Sequence, residues 1–78
     1  MTENGYENLG GVIIRLRKER NMSSADLLIK MQLGNCDISS VTLKRIENGV
    51  RAVREKELSV LAEIFGITPE ELLGMRNS

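Results

Sequence analysis

Residues 37–49 read Asp37-Ile38-Ser39-Ser40-Val41-Thr42-Leu43-Lys44-Arg45-Ile46-Glu47-Asn48-Gly49. The hydroxyls of Ser39 and Ser40 can accept hydrogen bonds from the free N–H groups of a first helical turn. Asp37, just upstream, suits the positive end of a helix dipole. Asn48-Gly49 is well able to supply the left-handed residue that often follows a last turn. The segment therefore predicts a short helix with a defined beginning and end.

The two faces of this predicted helix differ in chemistry. Helical spacing puts four residues on the side that faces a core: Ile38, Thr42, Leu43 and Ile46. Four others remain free: Ser40, Val41, Lys44 and Arg45. Small and hydrogen-bonding side chains followed by two cations suit a helix that enters a groove lined with acceptors and phosphates. An ordinary amphipathic helix with a solvated basic face would explain the same pattern.

Bulk properties indicate one small domain. The chain has 78 residues, of which 41% are hydrophobic and 28% charged, as in soluble globular proteins. The single cysteine, Cys36, cannot form an internal disulfide, so packing must supply the stability, and a reducing compartment is expected. No apolar run exceeds three residues, as in Val12-Ile13-Ile14, which is too short for a signal or a membrane span. We therefore expect a cytoplasmic protein that does not bind membranes.

The net charge is zero, but the charges are unevenly distributed. Residues 9–54 hold nine Lys or Arg against four acidic residues, a balance of +5. Residues 1–8 and 55–78 together hold two cations against seven acids, a balance of −5. A basic middle with acidic ends is expected if one face of the domain meets an anion.

Apolar spacing and capping residues predict four further helices. Helix 1 covers about residues 9–20, helix 2 runs from Ser23 to Gln32 or Leu33, helix 4 runs from Arg54 or Glu55 to Phe65, and helix 5 covers about residues 69–74. The expected inward residues are Leu9, Val12, Ile13, Leu16, Leu27, Leu28, Met31, Leu58, Leu61, Ala62 and Phe65. No segment alternates with period two, so no sheet is expected.

The predicted fold is thus all-α, with five short helices around one core. Residues 1–8 are expected to form a flexible N-terminal arm, residues 9–74 the helical domain, and residues 75–78 a C-terminal tail.

Three segments together resemble the phage Cro/repressor type of helix-turn-helix domain. They are residues 16–23 (Leu-Arg-Lys-Glu-Arg-Asn-Met-Ser), residues 38–49, and residues 58–73. The Ile-Glu-Asn-Gly ending and the Leu-Arg-Lys-Glu-Arg run are the most specific parts. The resemblance implies a lambda-repressor-like DNA-binding domain that acts as a sequence-specific transcriptional regulator, a repressor, with double-stranded DNA as its partner.

In this family the second helix of the motif lies in the major groove, and this position implies roles for individual residues. Ser40, Val41, Lys44 and Arg45 would contact bases, although Lys44 could also hold a phosphate. Ser24, Ser39, Asn48 and Arg51 would contact phosphates. The family also pairs an arginine of helix 1 with the glutamate before the Asn-Gly ending, here Arg17 with Glu47, as a structural ion pair.

Two features depart from the family's pattern. Residues 32–36 are about five more than its compact turn between helices 2 and 3 needs, so either helix 2 is longer by about a turn or the loop bulges. Leu28 stands where alanine commonly allows close helix contact, and Ser24 where many relatives have glutamine.

Two other classes of function compete with DNA binding: an enzyme and a protein-interaction module. An enzyme is not expected, because the chain has no histidine and Cys36 has no evident base. No metal, cofactor or small-molecule ligand is expected either. A module of the same fold that regulates a partner protein without touching DNA remains the alternative. Because one module this small reads few base pairs, a homodimer is expected, with Val60 and Ile14 as candidates for its surface.

Overall fold

The computed structural model describes residues 5–77. In chain order these residues form strand β1 (Gly5–Tyr6), helices α1 (Gly10–Glu19), α2 (Ser24–Leu33) and α3 (Ser40–Glu47), strand β2 (Val53–Arg54), helices α4 (Glu55–Phe65) and α5 (Pro69–Gly74), and a 3-10 turn (Met75–Asn77). The prediction of five helices is confirmed, and a small two-stranded sheet accompanies them.

The polar residues at the predicted helix starts act as caps. The hydroxyls of Ser23, Ser39 and Thr68 each accept a backbone N–H from three residues downstream, at 3.0, 3.1 and 3.0 Å. Glycines in the left-handed conformation follow α3 and α4, with φ of 79° at Gly49 and 74° at Gly66. The helix boundaries are therefore encoded locally.

The core lies where the helical periodicity placed it. All four predicted inward residues of α1 are buried, as are those of α4, together with Leu27 and Met31 from α2 and Leu43 and Ile46 from α3. Leu28 and Ile38 are only partly buried and pack against the edge of the core. No helix within residues 5–77 combines the length and the apolar composition needed to cross a membrane.

The expectation of no sheet is wrong. Strands β1 and β2 pair antiparallel, with Gly5 opposite Arg54 and Tyr6 opposite Val53. Strands of two residues are too short to show an alternating pattern, which is why the sequence does not reveal them. Val53 is completely packed in the core, so this pairing fixes the segment between α3 and α4.

The ends of the domain differ from the predicted arm and tail. Residues 5 and 6 belong to the sheet, and residues 1–4 lie outside the described part of the chain. Arg76, in the predicted tail, donates from Nη1 to the carbonyl oxygen of Glu7 at 3.3 Å. The two ends of the described chain therefore contact each other.

Part of the extra length predicted between helices 2 and 3 belongs to helix α2 itself. α2 continues to Leu33, Gly34 caps it, and Asn35 reverses the chain in the left-handed conformation with φ of 65°. The backbone N–H of Cys36 then donates to the Met31 carbonyl at 2.9 Å. The Cys36 side chain is buried in the core, and this burial raises the pKa of its thiol.

Val60 is unsuitable for the dimer surface that the sequence suggested. Only 8% of the residue is exposed. It lies under the end of α2, where a methyl group on Gly34 would be 3.1 Å from Val60 Cγ1. The longer α2 thus covers a position that would face outward on an isolated α4. Ile14 is half-buried.

Candidate nucleic-acid interface

Helix α3 presents one exposed face along its first turns. Because Leu43 and Ile46 are buried, the rotation of the helix about its axis is fixed and the opposite residues face outward. The exposed residues are the four predicted base contacts: Ser40, Val41, Lys44 and Arg45. Val41 is a large apolar residue that is nevertheless 57% exposed.

The other end of α3 is attached to α1 by a nearly buried ion pair. Arg17 Nε donates to Glu47 Oε2 at 2.9 Å, with the two side chains 12% and 8% exposed. Arg17 also donates from Nη1 to the Met22 carbonyl at 3.0 Å, so the guanidinium joins three parts of the chain. This geometry places Arg17 and Glu47 in the structural role that the family resemblance implies.

A glycine permits close contact at the same end of α3. A Cβ on Gly10 would lie 2.4 Å from the Glu47 carbonyl oxygen and 2.6 Å from that of Ile46. Both distances are far shorter than van der Waals contact, and both neighbours are backbone atoms. The first turn of α1 can therefore approach the last turn of α3 only with glycine at this position. Apolar periodicity does not predict this close contact, and by helix propensity Gly10 is only a weak helix former.

The serines predicted to hold phosphates have hydrogen-bond partners within the protein. Ser24 Oγ lies 3.4 Å from Glu47 Oε1, a long hydrogen bond. The Ser39 hydroxyl donates to Thr42 Oγ1 at 3.0 Å while it caps α3. Ser24 and Ser39 remain at helix N-termini, where free backbone N–H groups are the available phosphate donors. Asn48 is exposed at the end of α3.

Arg51 has a carboxylate partner within the protein. Its Nη1 and Nη2 donate to Glu57 Oε1 and Oε2 at 2.8 and 3.0 Å, a bidentate pair, and Nη1 also donates to the Ala52 carbonyl. Glu57 is only 5% exposed. The Arg51 guanidinium thus neutralises a buried carboxylate while its side chain stays 25% exposed, and its role as a phosphate ligand stays a prediction.

The environment of Glu57 keeps its side chain charged. Burial alone would raise the pKa of this carboxyl, but the hydrogen bonds from Arg51, the Arg54 N–H and the nearby positive charges outweigh it, so the pKa is lowered. The Arg54 N–H donates to Glu57 Oε1 at 2.9 Å as part of the α4 cap. The sequence signal for this cap is an acidic residue three positions after the start of a helix. That signal does not identify Arg51 as the partner of Glu57.

An open cleft of about 400 Å³ separates the beginnings of α2 and α3. Its lining combines small and apolar side chains with one cation: Ser24, Ala25, Leu28, Ser40, Val41, Leu43 and Lys44. The cleft and the exposed face of α3 are continuous, because they share Ser40, Val41 and Lys44. Within residues 5–77, no three His, Cys, Asp or Glu side chains are grouped so as to hold a metal ion.

Comparisons with known proteins agree with this architecture. A sequence model of the Cro/C1-type HTH DNA-binding domain matches residues 12–77. The crystal structure of the DNA-binding domain of BldD is similar to this chain with a TM-score of 0.62 and 24% sequence identity, covering 92% of this chain and 97% of that one. This structural likeness shows the fold. No curated protein sequence matches the chain.

Proposed function

Since the chain belongs to the Cro/C1-type helix-turn-helix DNA-binding domain family, we propose that it reads specific sequences in double-stranded DNA with α3 in the major groove. Occupying a site is enough to exclude a competing protein, so we further propose that the chain regulates transcription as a repressor in the cytoplasm.

The observation that carries the proposal is the exposed face of α3. It combines the groups that base edges and phosphates require: a hydroxyl on Ser40, an apolar side chain on Val41, and cations on Lys44 and Arg45. None of these four contributes to the buried core, so the face is free for a partner. Arg45 is the candidate for a bidentate contact with guanine O6 and N7.

Phosphate contacts would orient the domain on the duplex. The first-turn N–H groups of α2 and α3, next to Ser24 and Ser39, favour anions through the helix dipole. Asn48 is an exposed side-chain donor beyond the end of α3. Arg51 belongs to the same proposed set, because its side chain is 25% exposed and a guanidinium has more N–H donors than Glu57 and the Ala52 carbonyl use.

We also propose that the protein acts as a homodimer. Helix α3 has eight residues, about 12 Å of length, and reaches only a few base pairs. Two copies placed about 34 Å apart on a palindrome would double the sequence read. Sedimentation should show a dimer, free or on DNA. A monomer at high micromolar concentration in both conditions would contradict this part of the proposal.

An electrophoretic shift on random duplex at low salt tests DNA binding. We expect binding whose log K falls linearly with log salt, because phosphate contacts release counterions. Lys44→Ala should weaken binding, whereas Lys30→Ala should not. Lys30 is an exposed cation in the second half of α2, outside the cleft. Absence of any shift at low salt would contradict the proposal and favour a module that binds a partner protein.

A further inference from the structure

The connection between α3 and β2 holds Arg51 at a fixed place in the fold. At the start of this connection the Val50 N–H donates to the Arg45 carbonyl oxygen at 3.0 Å, and at its end Val53 is packed in the core. Arg51 lies between these two fixed points, and 25% of its side chain is exposed. The backbone therefore presents this side chain at a defined position beyond the end of α3.

The Arg51 guanidinium keeps two N–H groups for another anion. A guanidinium carries one N–H donor on Nε and two on each terminal nitrogen. Glu57 accepts one from Nη1 and one from Nη2, at 2.8 and 3.0 Å, and the Ala52 carbonyl accepts the other from Nη1 at 3.1 Å. Within residues 5–77 these are the hydrogen bonds that the guanidinium makes, so the Nε–H and the second Nη2–H remain. These two donors lie on one edge of the planar group and form a fork that fits two oxygens of a phosphate.

The Glu57 carboxylate fixes the direction of this fork. Glu57 is only 5% exposed, and its Oε1 also accepts the Arg54 N–H at 2.9 Å, so the carboxylate is itself held in place. A surface arginine loses rotamer freedom when it binds a phosphate, and this loss subtracts from the binding free energy. For Arg51 the side chain is already ordered in the folded protein.

We propose that Glu57 is a positioning residue, whose buried carboxylate orients Arg51 for a bidentate contact with a DNA phosphate. The inference rests on the proposed function, which places Arg51 against the DNA backbone. It adds that the contact is made through Nε and Nη2, and that it depends on a residue of α4 that does not itself touch the DNA.

Net charge and orientation predict opposite effects for Glu57→Gln. Removal of a negative charge should strengthen binding to DNA if only the charge matters. If Glu57 orients Arg51, binding should instead weaken about tenfold, because the charge-assisted contact loses its fixed geometry. The slope of log K against log salt should keep its wild-type value, because Arg51 can still displace a counterion. Binding is measured on a duplex, with circular dichroism in the same buffer to verify folding.

Glu63→Gln is the matched control for the charge. Glu63 is an exposed glutamate of the same helix, α4, so this variant loses an equal charge without changing the environment of Arg51. It should bind DNA at least as tightly as wild type.

Arg51→Gln shows whether Glu57 acts through Arg51. The new side chain keeps an N–H donor for Glu57 but removes the cation, so the salt slope should fall by about one. Within this background Glu57→Gln should cause no further loss of affinity, because the residue that it orients is absent.

Arg51→Lys tests the fork while Glu57 stays in place, and it remains informative if Glu57→Gln does not fold. Lysine keeps the charge but lacks the planar pair of donors, so binding should weaken about tenfold at an unchanged salt slope. Wild-type affinity in this variant overturns the bidentate contact and the positioning role with it.

Two results for Glu57 overturn the positioning role directly. One is a folded Glu57→Gln variant that binds as tightly as wild type or tighter, and the other is an equal loss of affinity from Glu57→Gln with Arg51 and with Gln at position 51. Both leave base reading by α3 intact. Failure of the wild-type protein to bind any duplex at low salt would instead overturn the proposed function and this inference together.

Discussion

The two ends of α3 are built differently. The C-terminal end is held by Arg17 on Glu47 and by the close approach of Gly10, whereas the first turns present exposed side chains and an open cleft. One end therefore stabilises the domain and the other is available for recognition. If this division is correct, substitutions at one end should change the free energy of unfolding, and substitutions at the other should change binding alone.

The largest loss of stability is expected for Glu47→Ala. Removal of this carboxylate leaves the nearly buried Arg17 without its partner, which should lower the free energy of unfolding by about 3–5 kcal/mol. Urea denaturation measures this loss. Glu63→Ala is the control, because Glu63 is an exposed glutamate of α4 and should change stability by no more than about 0.5 kcal/mol. Equal effects for the two variants would show that Arg17 does not depend on Glu47.

Gly10→Ala should also lower the stability of the domain. The added methyl overlaps two backbone carbonyls, so α1 and α3 must separate, at a cost of about 1–3 kcal/mol. Gly11→Ala provides a control of identical chemistry one residue away. Gly11 is exposed, and nothing lies within 4 Å of its added methyl, so this variant should be more stable than wild type by about 0.5–1 kcal/mol. Loss of stability in both variants would indicate that the close contact is not the cause.

Glu57→Gln tests the loop that follows α3 and should show a pH dependence. Loss of the charge-assisted bonds from Arg51 should cost about 1.5–3 kcal/mol near neutral pH. The folded-state pKa of Glu57 is lowered, so its contribution is present above the unfolded-state pKa and is lost as the pH falls through the folded value. The difference in unfolding free energy between wild type and Glu57→Gln should therefore shrink on acidification. A difference that stays constant down to acid pH would mean that Glu57 does not titrate in this way.

The contacts around the C-terminal end of α3 also show which features of the fold the sequence does not predict. Helix boundaries and the apolar core followed from local rules, because caps at Ser23, Ser39 and Thr68 and periodic apolar residues act within a few residues of chain. The pairing of Glu57 with Arg51 and the contact of Gly10 with α3 depend on how elements pack. Such contacts leave no periodic signal, and the sheet strands are too short to leave one.

The exposed end was easier to locate than to interpret. Burial of Leu43 and Ile46 determines which residues of α3 face outward, and the sequence identified that face. It did not reveal the cleft beside Val41, because the cleft depends on how the first turns of α2 and α3 pack beside each other. Residue identity alone also gave no sign that Arg51 pairs with Glu57, which lies six residues away in another element.

The smallest effect on stability is expected at the exposed end. Arg45 makes none of the hydrogen bonds or ion pairs found among the described side chains, so Arg45→Ala should change the free energy of unfolding by less than about 0.5 kcal/mol. Thermal or urea denaturation of Arg45→Ala and Glu47→Ala in parallel measures the difference in stability effect between the two ends of α3. A loss of stability for Arg45→Ala as large as that for Glu47→Ala would contradict the division of α3 into a stabilising end and a recognition end.

Selection of binding sites from a random duplex pool, with wild type and Arg45→Ala in parallel, tests the central claim that α3 reads base edges. We expect wild type to select a defined half-site, and Arg45→Ala to relax the preference at one position of it while binding there weakens by about 1–3 kcal/mol. A variant that folds normally and still selects the full wild-type sequence would contradict the claim.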